Sequence, residues 1–412
     1  MSLDDMRAIV DVLGNPQRDY PVIHVTGTNG KGSTVRMAAA LLAAHQLSVG
    51  TYTSPHLEHI TERITRNLEP IDPDEFGAVM AELAALEAQR FFEGPHHFDL
   101  LTAAAFSWFS QVAVDVAVIE VGLLGRWDAT NVADGQVAVI TNVGKDHTDG
   151  TGDWRRRVAS EKAGIIKPGS HLVLGETAPE LREVFEAEGA AEMWVRDEDF
   201  GVIADRQALG GHVVDLRTPN GVLEEVFLPV HGAHQAQNLA VAVASVEAFF
   251  GRALAPDVVV EALGGLRLPG RFEVLHRGPL LVLDGAHNPD GARAAGETLA
   301  EEFEVAGTRH FVLGMLTGRD LGEMLDGLGV RDGDRVIATA PATPRAAAPA
   351  DLAKLAGDRG AAAEVIPDVA DAVATAWRDA RAAGESDMVM VSGSLYTVGD
   401  ARTACRHLGL VT

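Results

Sequence analysis

The chain has 412 residues, a formal net charge of −25, 47% hydrophobic and 23% charged residues, and a single cysteine, Cys405. The length exceeds what one core usually holds, so roughly two or three domains are expected, and the composition is that of a globular protein. The acidic balance argues against a nucleic-acid partner, the lone cysteine excludes a disulfide framework and a Cys-based zinc site, and the absence of a leader-like start or of an apolar run near ~18 residues predicts a cytoplasmic chain with no membrane anchor. An anionic small molecule stays admissible, because local Arg and Lys can outweigh the global field.

In chain order, an apolar run at 21–25 reads as a buried strand and leads into the loop Thr26-Gly27-Thr28-Asn29-Gly30-Lys31-Gly32-Ser33-Thr34. A helical pattern follows at 34–45. Apolar runs at 49–53, 114–121, 137–143 and 171–175 read as further strands, with a helical pattern at 99–111. Residues 193–230 change to short alternating stretches broken by Gly and Asn, which reads as a small β-rich excursion. A helix resumes at 233–250. The glycines and prolines of 264–270 mark a boundary, giving domains 1–265 and 266–412. Beyond it, strands at 280–284, 310–313, 335–338 and 388–391 alternate with helices at 290–302, 368–383 and after Tyr396. The fold class is α/β: a P-loop-like domain with a mostly parallel sheet, then a doubly wound, Rossmann-like domain.

Strand, Gly-rich loop, lysine and helix form a phosphate cradle. Thr28, Asn29, Gly30, Lys31, Gly32 and Ser33 are its candidate nucleotide contacts. The loop departs from a strict Walker A pattern, since Gly32 stands where a metal-binding hydroxyl follows the lysine. Metal coordination must then come from elsewhere. Three strand ends offer it: Ser54 in Thr53-Ser54-Pro55-His56-Leu57, Glu120 in Val118-Ile119-Glu120-Val121, and His147 in Asp146-His147-Thr148. Each has a plain structural alternative, a proline turn or a loop residue. Arg126 and Asp128 could pair on their loop. Lys162 sits at the end of a helical pattern, where a lysine complements the helix dipole. Asn238, Arg271, Asp284 and His287 could be a cap, a linker turn and a strand-end loop.

Taken together and in this order, GTNGKGS (27–33), SPHL (54–57), GRWDATN (125–131), DHT (146–148), EKAGIIKPG (161–169), PGRFE (269–273), DGAHNP (284–289) and GSLY (393–396) resemble the folylpolyglutamate synthase/dihydrofolate synthase family of the Mur ligase superfamily. The resemblance implies an ATP-dependent ligase that phosphorylates a folate carboxylate and passes the acyl group to L-glutamate. It maps Mg²⁺ ligands onto Ser54, Glu120 and His147, a carbamylated lysine onto Lys162, and nucleotide or phosphate contacts onto Asn238 and Arg271. With Lys31 and Lys162, Asp284 and His287 become candidate catalytic residues; His56, Arg126, Asp128, Ser394 and Tyr396 become candidate substrate contacts. A K⁺ ion often accompanies the family. Implied partners are a folate or dihydropteroate and L-glutamate, with no nucleic acid and no membrane, and the implied state is a monomer. The family's GLGGR loop reads here as Gly122-Leu123-Leu124-Gly125-Arg126, and Lys145 precedes Asp146 where apolar residues are common. Other Mur-type carboxylate–amine ligases and a nucleotide-binding regulatory protein are the competing readings.

Overall fold

The computed structural model describes residues 3–89, 95–146, 148 and 150–411. His147 therefore lies outside the described residues. The chain divides into two compact units, one of Met1–His56, Ile60–Pro229 and Gln235–Leu266, the other of Leu57–His59, Val230–His234 and Arg267–Thr412.

The first unit is built on eight strands: Val22–Thr26 (β1), Val49–Tyr52 (β2), Ile64–Arg66 (β3), Glu69–Pro70 (β4), Val116–Glu120 (β5), Val137–Ile140 (β6), His171–Leu174 (β7) and Glu192–Val195 (β8). Their order is β4-β3-β2-β5-β1-β6-β7-β8. The six strands from β2 to β8 are parallel, while β3 and β4 add an antiparallel edge. β1 is buried along its whole length, as a central parallel strand covered on both faces must be. Tyr52, Ala117 and Ile119 join Phe106, Phe109 and Leu83 in one core, whereas Ala138, Ile140, Leu172 and Leu174 join Val158, Ile165 and Phe185 in another. Two helices that the sequence analysis does not name complete the first core: Asp4–Val12, which buries Met6, Ile9 and Val10, and Pro73–Ala88, whose N-cap Asp72 accepts from Asp74 N–H.

The β-rich excursion is a three-stranded antiparallel sheet of Gly201–Ala208 (β9), Gly211–Thr218 (β10) and Gly221–Leu228 (β11), in the order β11-β10-β9. Residues 193–195, read above as its start, pair instead in parallel with β7 as the edge of the main sheet. The excursion is anchored by a buried carboxylate. Glu247, in the helix Ala233–Phe250, accepts from Thr218 Oγ1 (3.1 Å), Asn220 Nδ2 (2.9 Å) and Leu254 N–H (3.2 Å).

The second unit holds six strands: Glu273–Arg277 (β12), Leu280–Leu283 (β13), Arg309–Leu313 (β14), Arg335–Ala338 (β15), Ala362–Val365 (β16) and Met388–Ser392 (β17). Their order is β12-β13-β17-β14-β15-β16, with only β12 antiparallel. Alternate residues face opposite cores, as a period of two requires. Val282, Phe311, Val336 and Met390 meet the helices Pro289–Glu302, Leu321–Gly327 and Pro349–Gly357, while Leu283, Val312, Ile337 and Val391 meet Val369–Ala383 and Leu395–His407. β12 arises inside the PGRFE segment, read from sequence as a linker turn. It is half-buried through Glu273–His276, exposed at Arg277 and charged at both ends, the pattern of an edge strand.

Candidate active site

The phosphate loop joins β1 to the helix Lys31–Ala44. Gly30 caps that helix with φ +81°, and a Cβ there would collide with Asn238 Oδ1. Only glycine meets both demands. Asn238 is thus brought against the loop, and its amide nitrogen donates to Gln235 Oε1 at 3.0 Å. Lys31 Nζ folds back over the loop, donating to the Gly27 and Thr28 carbonyls at 3.0 and 3.2 Å.

The loop is laced to the end of β6. Asn142 Oδ1 accepts from Thr28 N–H (3.2 Å) and Asn29 N–H (2.9 Å), Asn142 Nδ2 donates to Asn29 O (3.2 Å), and Thr141 Oγ1 donates to the same carbonyl at 2.6 Å. Gly144 N–H donates to Thr28 Oγ1 at 2.9 Å. Asn142 and Thr141 belong to the strand-end segment that carries His147, but the sequence reading does not single them out as site residues. The available signal was their place at a strand end beside the loop, which polar residues reach only to meet a ligand or another backbone.

Glu120 closes β5 and is buried. Its Oε2 accepts from Ser54 N–H at 3.3 Å and lies 3.5 Å from where a Gly32 Cβ would stand. Glu120, Ser54 and the loop are therefore one neighbourhood. Gly32 leaves beside the carboxylate the space that a Walker-type hydroxyl would fill. Among the described residues no group of three His, Cys, Asp or Glu forms a ready-made metal cage. The donor set suits Mg²⁺, which is held by one or two carboxylates plus substrate phosphate oxygens rather than by an all-protein cage.

Lys162 lies at the end of the helix Trp154–Ala163, only 3% exposed. Burial pulls its ammonium down to about 7; the positive charge of Lys31 adds to this and Asp146 opposes it. An amine so placed is neutral in a large fraction of molecules at physiological pH.

The segments 122–131 and 161–169 interlock. Arg126 N–H donates to Glu161 O at 2.8 Å, Asn131 Nδ2 donates to Gly164 O at 3.0 Å, and Lys167 Nζ donates to Asn131 Oδ1 at 2.9 Å. A Cβ on Gly125 would press on Glu161 O at 2.9 Å, and one on Gly164 on Arg126. Arg126 and Asp128 do not pair with each other. Arg126 meets Glu188 and the Ser160 carbonyl. Asp128 caps the short helix Ala129–Val132, accepting from Thr130 N–H at 3.0 Å, Thr130 Oγ1 at 2.5 Å and Leu123 N–H at 2.8 Å. Burial raises the Asp128 carboxyl against those donors. Leu124 holds φ +59°, the left-handed region, at the position where the family's GLGGR loop has glycine. His56 Nδ1 accepts from Arg63 Nε at 2.9 Å.

In the second unit, Asp284 directly follows β13 and fastens two turns. Its Oδ2 accepts from Phe272 N–H at 2.8 Å and its Oδ1 from Ala286 N–H at 2.9 Å. Arg271 is held alongside, its Nη1 lying 2.7 Å from where a Gly285 Cβ would stand. His287 Nδ1 meets the Gly285 carbonyl at 3.0 Å, and because a carbonyl only accepts, Nδ1 carries a proton. Ser394 is the N-cap of Leu395–His407: its Oγ accepts from Thr397 N–H at 3.1 Å. Tyr396 is exposed.

Two family models match the chain, the Mur ligase middle domain over residues 95–246 and the Mur ligase glutamate ligase domain over residues 270–395. The dihydrofolate synthase/folylpolyglutamate synthase of Mycobacterium tuberculosis is 39% identical over 440 residues, spanning 98% of this chain and 89% of that relative. A structure of the Mycobacterium tuberculosis folylpolyglutamate synthase complexed with ADP superimposes with TM-score 0.92 at 39% identity, covering 97% of this chain and 94% of that one. A bifunctional folylpolyglutamate synthase/dihydrofolate synthase with Mn, AMPPNP and L-glutamate bound gives TM-score 0.85 at 31% identity, covering 98% and 94%. Eight motifs in order, a phosphate loop with Glu120 at Gly32, and likeness over nearly the full length agree: the chain belongs to the folylpolyglutamate synthase/dihydrofolate synthase family of Mur ligases.

Proposed function

We propose that this chain is an ATP-dependent ligase that joins L-glutamate through an amide bond to the carboxyl group of a folate. Tetrahydrofolate and dihydropteroate are the two acid substrates to compare. The observation that carries the reading is the meeting of Gly32, Glu120 and Ser54 at the phosphate loop. A carboxylate oxygen of the acid substrate attacks the γ-phosphorus of ATP, the bond to the bridging oxygen breaks, and ADP leaves. The glutamate amine then attacks the acyl carbon of the mixed anhydride. The C–O bond to phosphate breaks, phosphate departs with its electron pair, and the amine proton is released.

The substrate carboxylate and the phosphates of ATP are all anionic and converge in the first step, so charge neutralisation is the main demand on the protein. Lys31, Asn29, Gly30, Gly32, Ser33 and Thr28 hold the phosphates, and Asn238 flanks them. Glu120 and the Ser54 hydroxyl, with His147, would hold Mg²⁺, which when bound supplies positive charge to the transferring phosphoryl group. A K⁺ ion is a further candidate for the same role. Arg271 supplies positive charge for phosphate, and Asp284 and His287 shape the turn proposed to serve the glutamate step, with Ser394 and Tyr396. His56, Arg126 and Asp128 are assigned to the acid substrate, Asp128 through the turn that it caps. Lys162 is proposed to be carbamylated: its neutral amine attacks CO₂, an N–C bond forms, one proton leaves, and a buried cation becomes an anion suited to a metal. A monomer in the cytoplasm completes the proposal.

The test is phosphate release with ATP and L-glutamate, comparing 7,8-dihydropteroate with tetrahydrofolate. Lys31→Ala and Glu120→Ala are expected to lose at least about a hundredfold in rate while keeping a parental circular dichroism spectrum. Full activity in either variant overturns the assignment, as does phosphate release independent of L-glutamate.

A further inference from the structure

β1 does more than deliver the phosphate loop. Its residues His24 and Thr26 lie on one face of the strand, two apart; Thr26 reaches the turn Gly122–Asp128 directly, and His24 reaches Thr130 just beyond it. Thr26 Oγ1 donates to Leu124 O at 2.5 Å. His24 Nε2 meets Thr130 Oγ1 at 2.9 Å, and Thr130 Oγ1 meets Asp128 Oδ1 at 2.5 Å. The direction of this chain follows from chemistry. Asp128 already accepts from the backbone N–H groups of Thr130 and Leu123, as an ionised carboxylate does. Thr130 must then donate to Asp128 and accept from a proton on His24 Nε2. The three side chains form one directed relay, buried throughout.

Two further observations say that the relay is more than core packing. His24 Nδ1 is buried with no hydrogen-bond partner among the described residues, so an imidazole has been kept where an apolar side chain would avoid that penalty. The turn that the relay holds is strained, since Leu124 sits at φ +59° without being glycine. Such strain persists only where surrounding bonds over-determine the backbone, and it concentrates at functional sites. The same turn exposes Leu123 at 39% and Trp127 at 45%, two apolar side chains beside polar machinery. A flat aromatic acid is the kind of ligand that such a surface takes.

We infer that His24 is a positioning residue for the acid substrate: through Thr130 and Asp128 it fixes the Leu123–Trp127 turn on the strand that carries the phosphate loop. The inference rests on the proposed reading of this turn as facing the acid substrate. The phosphate loop itself is fixed separately by Thr141 and Asn142, so breaking the relay loosens the turn and leaves the nucleotide contacts in place.

Steady-state kinetics on the full chain test this, with 7,8-dihydropteroate and tetrahydrofolate as acid probes. His24→Leu and Thr130→Val are each expected to raise KM for the acid about tenfold, with kcat and KM for ATP within about twofold of the parent. The double variant is expected to be no worse than either single one, because one relay is broken in all three. His24→Gln, which places an amide N–H near the Nε2 position, restores the parental KM. Equal shifts in all KM values, a fall in kcat alone, additive effects, or His24→Gln behaving like His24→Leu overturns the inference. Trp127→Ala separates the two levels. If it raises KM for the acid while the relay variants leave it unmoved, the relay assignment fails alone. If Trp127→Ala also leaves it unmoved, the turn does not face the acid and both fail.

Discussion

Lys162 shows how much one buried side chain can set. Its folded pKa lies near 7 against an ordinary 10.5, with burial the first cause. Between those values the unfolded chain holds a proton that the folded chain has shed, so stability rises with pH across that window. Below about 7 both states are protonated and the whole cost of burying the cation is present. Lys162→Met keeps the volume and removes the charge. It is expected to melt above the parent at pH 6 in CO₂-free buffer, with the gap narrowing steadily as pH rises from about 7 toward 10.5, and to lack ligase activity. A gap that does not change with pH would show that the lysine is solvated in the folded protein. A site that keeps such a residue exchanges stability for chemistry. The sequence could place Lys162 at a helix end but could not choose between a dipole-complementing lysine and a reactive one, because burial decides that and is set by residues far along the chain.

The turn between β5 and the helix Ala129–Val132 makes the same point for an element. Its motif was legible, and so was its place after a strand that ends in Glu120. Its internal wiring was not. Asp128, Asp284 and Ser394 read as candidate site residues, and in the structure each also holds nearby backbone N–H groups. Both uses put polar residues at strand ends, so composition cannot separate them. Leu124 was visible only as a departure from GLGGR, and its φ of +59° gives that departure a physical meaning. The left-handed region costs an ordinary L-residue about 1–2 kcal/mol, and a β-branched one more. At a normal half-buried site, Leu→Val is milder than Leu→Gly. Here the order is expected to invert: Leu124→Gly loses apolar contact but relieves the backbone, staying within about 1 kcal/mol of the parent, whereas Leu124→Val loses roughly 2 kcal/mol. Urea titrations of the two variants check this, and the ordinary order would mean that the turn relaxes without strain.

At the scale of the molecule, the alternating strands and helices gave the two α/β sheets, because each strand's apolar run is local information. Membership of the units is not local. The second unit takes in Leu57–His59 and Val230–His234, short stretches that precede its main body by hundreds and tens of residues. Each is fastened by a carboxylate. Glu58, with a side chain only 4% exposed, accepts from Arg406 Nη1 at 2.5 Å and Thr403 Oγ1 at 3.1 Å, and pairs with Arg402. Burial alone would raise the Glu58 carboxyl, but Arg406 and Arg402 together hold it below its ordinary value. Glu302 accepts from Gly232 N–H at 2.6 Å and meets His231 Nδ1 at the same distance. A cut at the glycine-rich boundary removes both straps and strips the Arg402 and Arg406 guanidiniums of Glu58. Arg402 keeps Glu273 and Arg406 is partly exposed, so the loss is that of the straps' contacts together, Leu57 packing included, against a domain stable by only about 5–15 kcal/mol. The fragment 267–412 is therefore expected to be marginal, unfolding at least about 10 °C below the second transition of the full chain, or lacking a cooperative melt. Adding Glu58→Ala to the full chain should lower that same transition, while leaving the fragment's spectrum as the reference for loss of both straps. A fragment that melts like the full chain would show that the sheet β12–β17 and its helices fold without Leu57–His59 and Val230–His234.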